Sequence, residues 1–230
     1  MIFCDPGTYI PLPLSAIRQV SRRPSTYHAY TADTIGEITA AYCAGHITAQ
    51  EAIVIAYQRG AATVKSTQRG AMLAVALGPA EVLKAIGDIP NVEIACYNAP
   101  NSVTLSGSEM SIEEACSRLL AASIFHRKLR TSGNAYHSKL KEESGQHYET
   151  FLKQSLPHKP RSDRSPDVTM FSTVTQGPID TVDIEYWRRN LESPVQFDTT
   201  TQQLCKSRPE VKVLVEIGPH SALAAPLKAI

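Results

Sequence analysis

The stretch Ala32-Asp33-Thr34-Ile35-Gly36-Glu37, running straight into Ile38-Thr39-Ala40-Ala41-Tyr42-Cys43-Ala44-Gly45, decides how the rest is read. Ile38, Ala41 and Tyr42 recur at helical spacing, and Gly45 supplies the residue that ends helices in left-handed backbone. Thr34 therefore stands where a chain turns into a helix, the place a GxSxG elbow gives its nucleophile. Directly downstream, Thr48 and Glu51 have capping-box spacing and open a second helix, with Ile53, Ala56 and Tyr57 on one face and Arg59 near its middle.

Working outward, residues 71–131 form a compact unit. An apolar run at 71–77 has strand length, and 79–86 reads as a helix closed by Gly87 and Pro90. Residues 92–99 and 102–106 read as two strands around an Ala-Pro-Asn turn. Ser111 and Glu114 have capping-box spacing for a helix bearing Ile112, Ala115, Leu119 and Ala122, and 126–131 can close the sheet. The order strand–helix–strand–strand–helix–strand is that of a ferredoxin-like split βαβ unit.

Beyond it, 138–156 reads as a helix through Leu140, Tyr148, Phe151 and Leu152, and 157–166, with three prolines, as a surface loop. Residues 168–174 read as a strand, 182–191 as a helix ending before Pro194, and 211–217 as a strand buried on both faces. The fold class is α/β with a smaller inserted α+β unit.

The composition narrows the function. Across 230 residues, 43% are apolar and 20% charged, as in a globular protein, and the formal net charge is +1. That balance argues against an electrostatic nucleic-acid binder, and no apolar run has the length of a membrane span. Five scattered cysteines (Cys4, Cys43, Cys96, Cys116, Cys205), none at CxxC spacing, fit a reducing, cytoplasmic compartment. The first 32 residues carry Arg18, Arg22 and Arg23, but Pro6, Pro11, Pro13 and Pro24 argue against an amphipathic targeting helix. Seven histidines form neither HExxH nor an i, i+4 pair, so no metal site is expected, and no Gly-rich phosphate loop is present. Taken alone, Arg59 reads as a helix-surface charge, His137 as a half-buried histidine, Asn190 as a helix-end residue and His220 as structural.

Five blocks in order change that weighting: 32–37, Arg59 on the following helix, Ala135-Tyr136-His137-Ser138, 186–195 and 216–223. Together they resemble the malonyl-CoA:acyl-carrier-protein acyltransferase domain of fungal iterative, highly reducing polyketide synthases, over Thr34 to Ile230, or 197 of 230 residues. The resemblance implies a partial α/β-hydrolase-like acyltransferase core at 34–70 and 132–230, with the ferredoxin-like subdomain at 71–131. It implies transfer of malonyl from malonyl-CoA to the phosphopantetheine thiol of an acyl carrier protein or synthase, with no bound cofactor.

By the same resemblance Thr34 is the nucleophile and His137 the general base. The Asn190 carbonyl oxygen orients the imidazole, and Arg59 pairs with the malonyl carboxylate, a task suited to a planar bidentate donor. The helix that starts beside Ile35, the second expected substrate contact, points its N–H groups at the oxyanion.

Two departures stand against the pattern. The family's Ser and the His before it are replaced by Thr34 and Asp33; a β-branched residue is costly in an elbow, and Asp33 adds a negative charge beside an anion site. Residues 1–33 do not resemble the family, whose GQGxQ-type oxyanion segment is not found, and 26–31 is a mediocre strand. The expectation is an N-terminally truncated domain. A different class of function is a silent carrier-protein or synthase binding module, with Lys128, Arg130 and Lys139 as contacts, or a vestigial product. An esterase fits less well, because Arg59 captures a carboxylate.

Overall fold

A computed structural model of the chain describes residues 29–32, 34–157, 168–209, 214, 216 and 221–230. The leader 1–28, Asp33, most of the expected loop at 157–166, most of the expected strand at 211–217, and His220 lie outside the described residues.

Strand β1 (Ala29–Ala32) leads into the elbow and then helix α1 (Gly36–Cys43). The mediocre strand is therefore used as one, because four residues in parallel register with a later strand supply pairing that propensity does not. Helix α1 is buried nearly all round, through Gly36, Glu37, Ile38, Ala40 and Ala41, and Gly45 follows it at φ +75°. Helix α2 (Ala49–Lys65) starts on the expected box: Thr48 Oγ1 accepts from Glu51 N at 3.0 Å, and Glu51 Oε2 accepts from Thr48 N at 2.6 Å.

The split βαβ unit follows as β2 (Ala71–Val75), α3 (Pro79–Ile86), β3 (Val92–Ala99), β4 (Ser102–Gly107), α4 (Glu109–Ala121) and β5 (His126–Lys128). All its pairings are antiparallel and its spatial order is β3-β4-β2-β5, the ferredoxin-like arrangement. Ala71, Leu73 and Val75 alternate into a core with Val82, Ile86, Leu105, Ile112 and Leu119. One expectation is corrected. Helix α4 starts at Glu109, and its cap is Ser108, whose Oγ accepts from Ser111 N at 3.2 Å. Ser111 lies inside the first turn, and Glu114 pairs with Arg118 one turn on instead of closing a box.

After a 3₁₀ turn (Lys139–Lys141) come α5 (Glu142–Ser155), β6 (Thr169–Ser172), β7 (Gly177–Ile179), α6 (Ile184–Glu192), α7 (Phe197–Ser207) and α8 (Ala224–Ala229). Strand β6 pairs parallel with β1 and antiparallel with β7, giving a second sheet in the order β1-β6-β7. Helix α1 packs on it, and α2, α5 and α6 pack in turn on α1 and on one another, sharing one core through Ile38, Ile55, Tyr148, Leu152, Trp187 and Leu191.

Backbone hydrogen bonds join the two units at two places. Gly70 N donates to Gly133 O at 2.9 Å where the chain enters and leaves the inserted unit. Edge strand β3 then bridges to Val195, with Tyr97 N on Val195 O and Val195 N on Ala95 O, both 2.8 Å. The second bridge, at Val195, lies three residues past the end of α6, where the site is built.

Candidate active site

Thr34 turns at φ +41°, the left-handed region that disfavours a β-branched residue, and its hydroxyl is thereby presented off the mouth of α1. His137 faces it at φ +58°, on the return from the inserted unit. Thr34 Oγ1 and His137 Nε2 are 3.0 Å apart across 103 residues of sequence. The other ring nitrogen, Nδ1, lies 2.9 Å from Ser193 O. A carbonyl can only accept, so Nδ1 carries the proton and Nε2 faces the hydroxyl as an acceptor. Burial, and secondarily the Arg59 charge, push the His137 pKa down to about 3 against the opposing pull of the Ser193 carbonyl. The ring is a neutral base with its lone pair on the hydroxyl.

The expected role of the Asn190 carbonyl is corrected by this geometry. The imidazole is oriented by the backbone of Ser193, not by Asn190, because α6 ends at Glu192 and frees the next carbonyl to face the ring. Asn190 bridges elsewhere. Its Oδ1 accepts from Arg59 Nη1 at 2.8 Å, and its Nδ2 lies 2.7 Å from Glu37 Oε2 and 3.1 Å from Thr34 O.

Arg59 is no surface charge. It is 3% exposed, and Nη2 has no hydrogen-bond partner among the described residues. Burial depresses its pKa, partly offset by the neighbouring Tyr148, Tyr136 and Glu37. A buried cation with a spare donor suits an anionic group. Ile35 is the residue before α1; its side chain packs on the core, which leaves its backbone beside Thr34 as the part available to a substrate.

Sequence reasoning missed Glu37. It is fully buried and accepts from Thr173 N and Thr173 Oγ1 on one oxygen, and from Tyr186 OH and Asn190 Nδ2 on the other. Burial raises its pKa, and the four donors oppose that rise. The available signal was a lone carboxylate in a helix whose remaining residues are almost all apolar, leaving it no wet face. Ser193 could not have been found by residue type, since its backbone does the work. Lys128, an expected carrier contact, is already held by Glu109 and Glu113, whereas Arg130 and Lys139 are exposed. Among the described residues no group of three His, Cys, Asp or Glu is placed to hold a metal, and no helix is long and apolar enough to cross a membrane.

Residues 33–229 match the family described as Acyl transferase domain. The chain is 74% identical over 195 residues to a highly reducing polyketide synthase of Pyrenophora dematioidea, covering 85% of this chain and 8% of that one. The chain thus spans under a tenth of that curated relative's length. Its fold superposes on the acyltransferase domain from the second module of the salinomycin polyketide synthase with TM-score 0.80 and 28% identity, over 94% of this chain and 49% of that one. A malonyl-CoA–acyl carrier protein transacylase from Clostridium perfringens shares the fold at TM-score 0.79 and 21% identity, over 94% and 68% of the two chains. With its elbow, facing histidine and buried arginine inside a match over 33–229, the chain belongs to the acyl transferase domain family, in the form carried by fungal highly reducing polyketide synthases.

Proposed function

We propose that the chain loads malonyl units in polyketide biosynthesis, moving malonyl from coenzyme A to the phosphopantetheine thiol of an acyl carrier protein. The observation that carries this reading is the hydrogen-bonded pair of Thr34 Oγ1 and a neutral His137 Nε2. As the Thr34 oxygen attacks the thioester carbonyl, His137 takes its proton, and the Ser193 carbonyl stabilises the imidazolium that forms. Collapse of the tetrahedral intermediate breaks the C–S bond, and the imidazolium returns the proton to the departing thiolate. In the second half His137 takes the proton of the carrier thiol, whose sulfur attacks the Thr34 ester. The Thr34 oxygen leaves and regains that proton. Arg59, with Nη2 spare, holds the free carboxylate of malonyl. The first backbone N–H groups of α1, starting at Ile35, face the developing oxyanion.

Intact-protein mass spectrometry after brief exposure to malonyl-CoA tests the reading. A malonyl adduct is expected on the parent and absent in Thr34→Ala. Thr34→Ser should acylate faster by about tenfold, the equivalent of about 1.4 kcal/mol of relieved crowding and strain. Folded parent protein that acquires no adduct overturns acyl transfer by Thr34 and leaves a carrier- or synthase-binding module or a vestigial product.

A further inference from the structure

Three buried polar side chains from three helices form one chain of contacts: Glu37 on α1, Asn190 on α6 and Arg59 on α2. Their direction is determined at both ends. The Glu37 carboxylate accepts the Asn190 NH₂, so the same amide must turn its oxygen the other way, onto Arg59 Nη1. The opposite amide orientation would place an NH₂ against a guanidinium that has only donors, and an oxygen against a carboxylate that has only acceptors. Glu37 cannot itself swing aside, because Thr173 N, Thr173 Oγ1 and Tyr186 OH hold its two oxygens, and Tyr186 OH also lies 3.0 Å from Ser172 Oγ.

We propose that Glu37 is a positioning residue for the carboxylate-binding guanidinium: through Asn190 it locks Arg59 by Nη1, balances its buried charge, and leaves Nη2 as the free donor for the acyl group's carboxylate. The proposal rests on the malonyl reading above and adds the group that sets its acyl selectivity. Glu37 itself touches no substrate. In Glu37→Gln one carboxylate oxygen becomes an NH₂. If that group faces Asn190, the Asn190 amide turns over and Arg59 loses its acceptor. If it faces Thr173, the anchor of the side chain is lost.

The test is calorimetric binding of malonyl-CoA and acetyl-CoA to the parent, Arg59→Ala, Glu37→Gln and Asn190→Ala. The parent should prefer malonyl-CoA, and Arg59→Ala should remove that preference. Glu37→Gln should reduce it by about tenfold, the size of one charge-assisted hydrogen bond, with acetyl-CoA affinity unchanged. Adding Glu37→Gln to Asn190→Ala should cost nothing more, since both break the same link. A merely structural Glu37 would weaken both ligands together and add to Asn190→Ala. Should Glu37→Gln not fold, Asn190→Ala decides alone, and an intact malonyl preference there overturns the proposal. Loss of preference in Arg59→Ala with full preference in Glu37→Gln overturns this proposal and spares the carboxylate site. Equal binding of the two thioesters by the parent overturns both.

Discussion

Burial and the neighbouring Arg59 charge push the His137 pKa down to about 3, while in the unfolded chain the ring titrates near its ordinary 6.5. Between those values the unfolded chain holds a proton that the native chain does not, so stability rises with pH there. The contribution of His137 is complete above about pH 6.5 and is lost progressively as pH falls toward 3. From pH 7 to pH 5 the parent should therefore lose about 2 kcal/mol more than His137→Gln, read from urea unfolding at the two values. Equal losses would show that the ring is charged in the folded site. The same shift predicts that acylation of Thr34 stays level down to pH 5, where an ordinary histidine would already be protonated. At this scale residue type alone does not group Thr34, His137, Arg59 and Asn190; the order of the family-like blocks does, and hydrogen bonds link the four in space. The sequence does not show what each one touches. Asn190 serves Arg59 because side-chain direction on α6 is fixed by packing, and the ring's true anchor is a backbone carbonyl that exists only where α6 stops.

Elements were legible wherever a local signal and the tertiary demand agreed. The capping box at Thr48, the strand at β3 and the Pro-started α3 stand where their residues put them, with bounds at Ala49–Lys65, Val92–Ala99 and Pro79–Ile86. Helix α7 was not legible, since its Thr-Thr-Thr run has poor helix propensity. The helix nevertheless buries Phe197, Thr200, Thr201 and Leu204, spacing in which threonines occupy the apolar positions. Strand β7 is too short to read and exists because β6 offers it an edge. Close approach between elements is equally invisible in sequence, and Gly70 illustrates it. A Cβ there would lie 2.4 Å from Gly107 O and 2.6 Å from Ala135 Cβ, one a backbone atom and the other fixed to the chain beside His137. Gly70→Ala should therefore destabilise the protein by about 1–3 kcal/mol, as overpacking does. Thermal unfolding measures this, and an unchanged midpoint would mean that the seam between the two units is free to widen.

At the scale of the molecule, the architecture separates a site-bearing core from an inserted unit whose edge strand β3 reaches the site's flank at Val195. The inserted unit has its own apolar interior, drawn wholly from 71–124, and its entry and exit strands are clasped at Gly70 and Gly133. Removing it from the core cuts the bridge from β3 to Val195 and uncovers the second face of its sheet, where Met72 and Ala95 are buried. Neither loss touches the interior formed by Leu73, Val82, Leu105, Ile112 and Leu119. We propose that 71–131 is an autonomous folding unit, and a fragment of residues 68–134 should show a cooperative urea transition followed by far-ultraviolet circular dichroism. Its stability should be low, on the order of a few kcal/mol, because a chain of that size buries a small fraction of its surface. A gradual, non-cooperative loss of signal would show instead that the sheet depends on the core behind it. In that case the β3–Val195 bridge is part of one folding unit, continuous through Pro194 with the Ser193 carbonyl that holds His137.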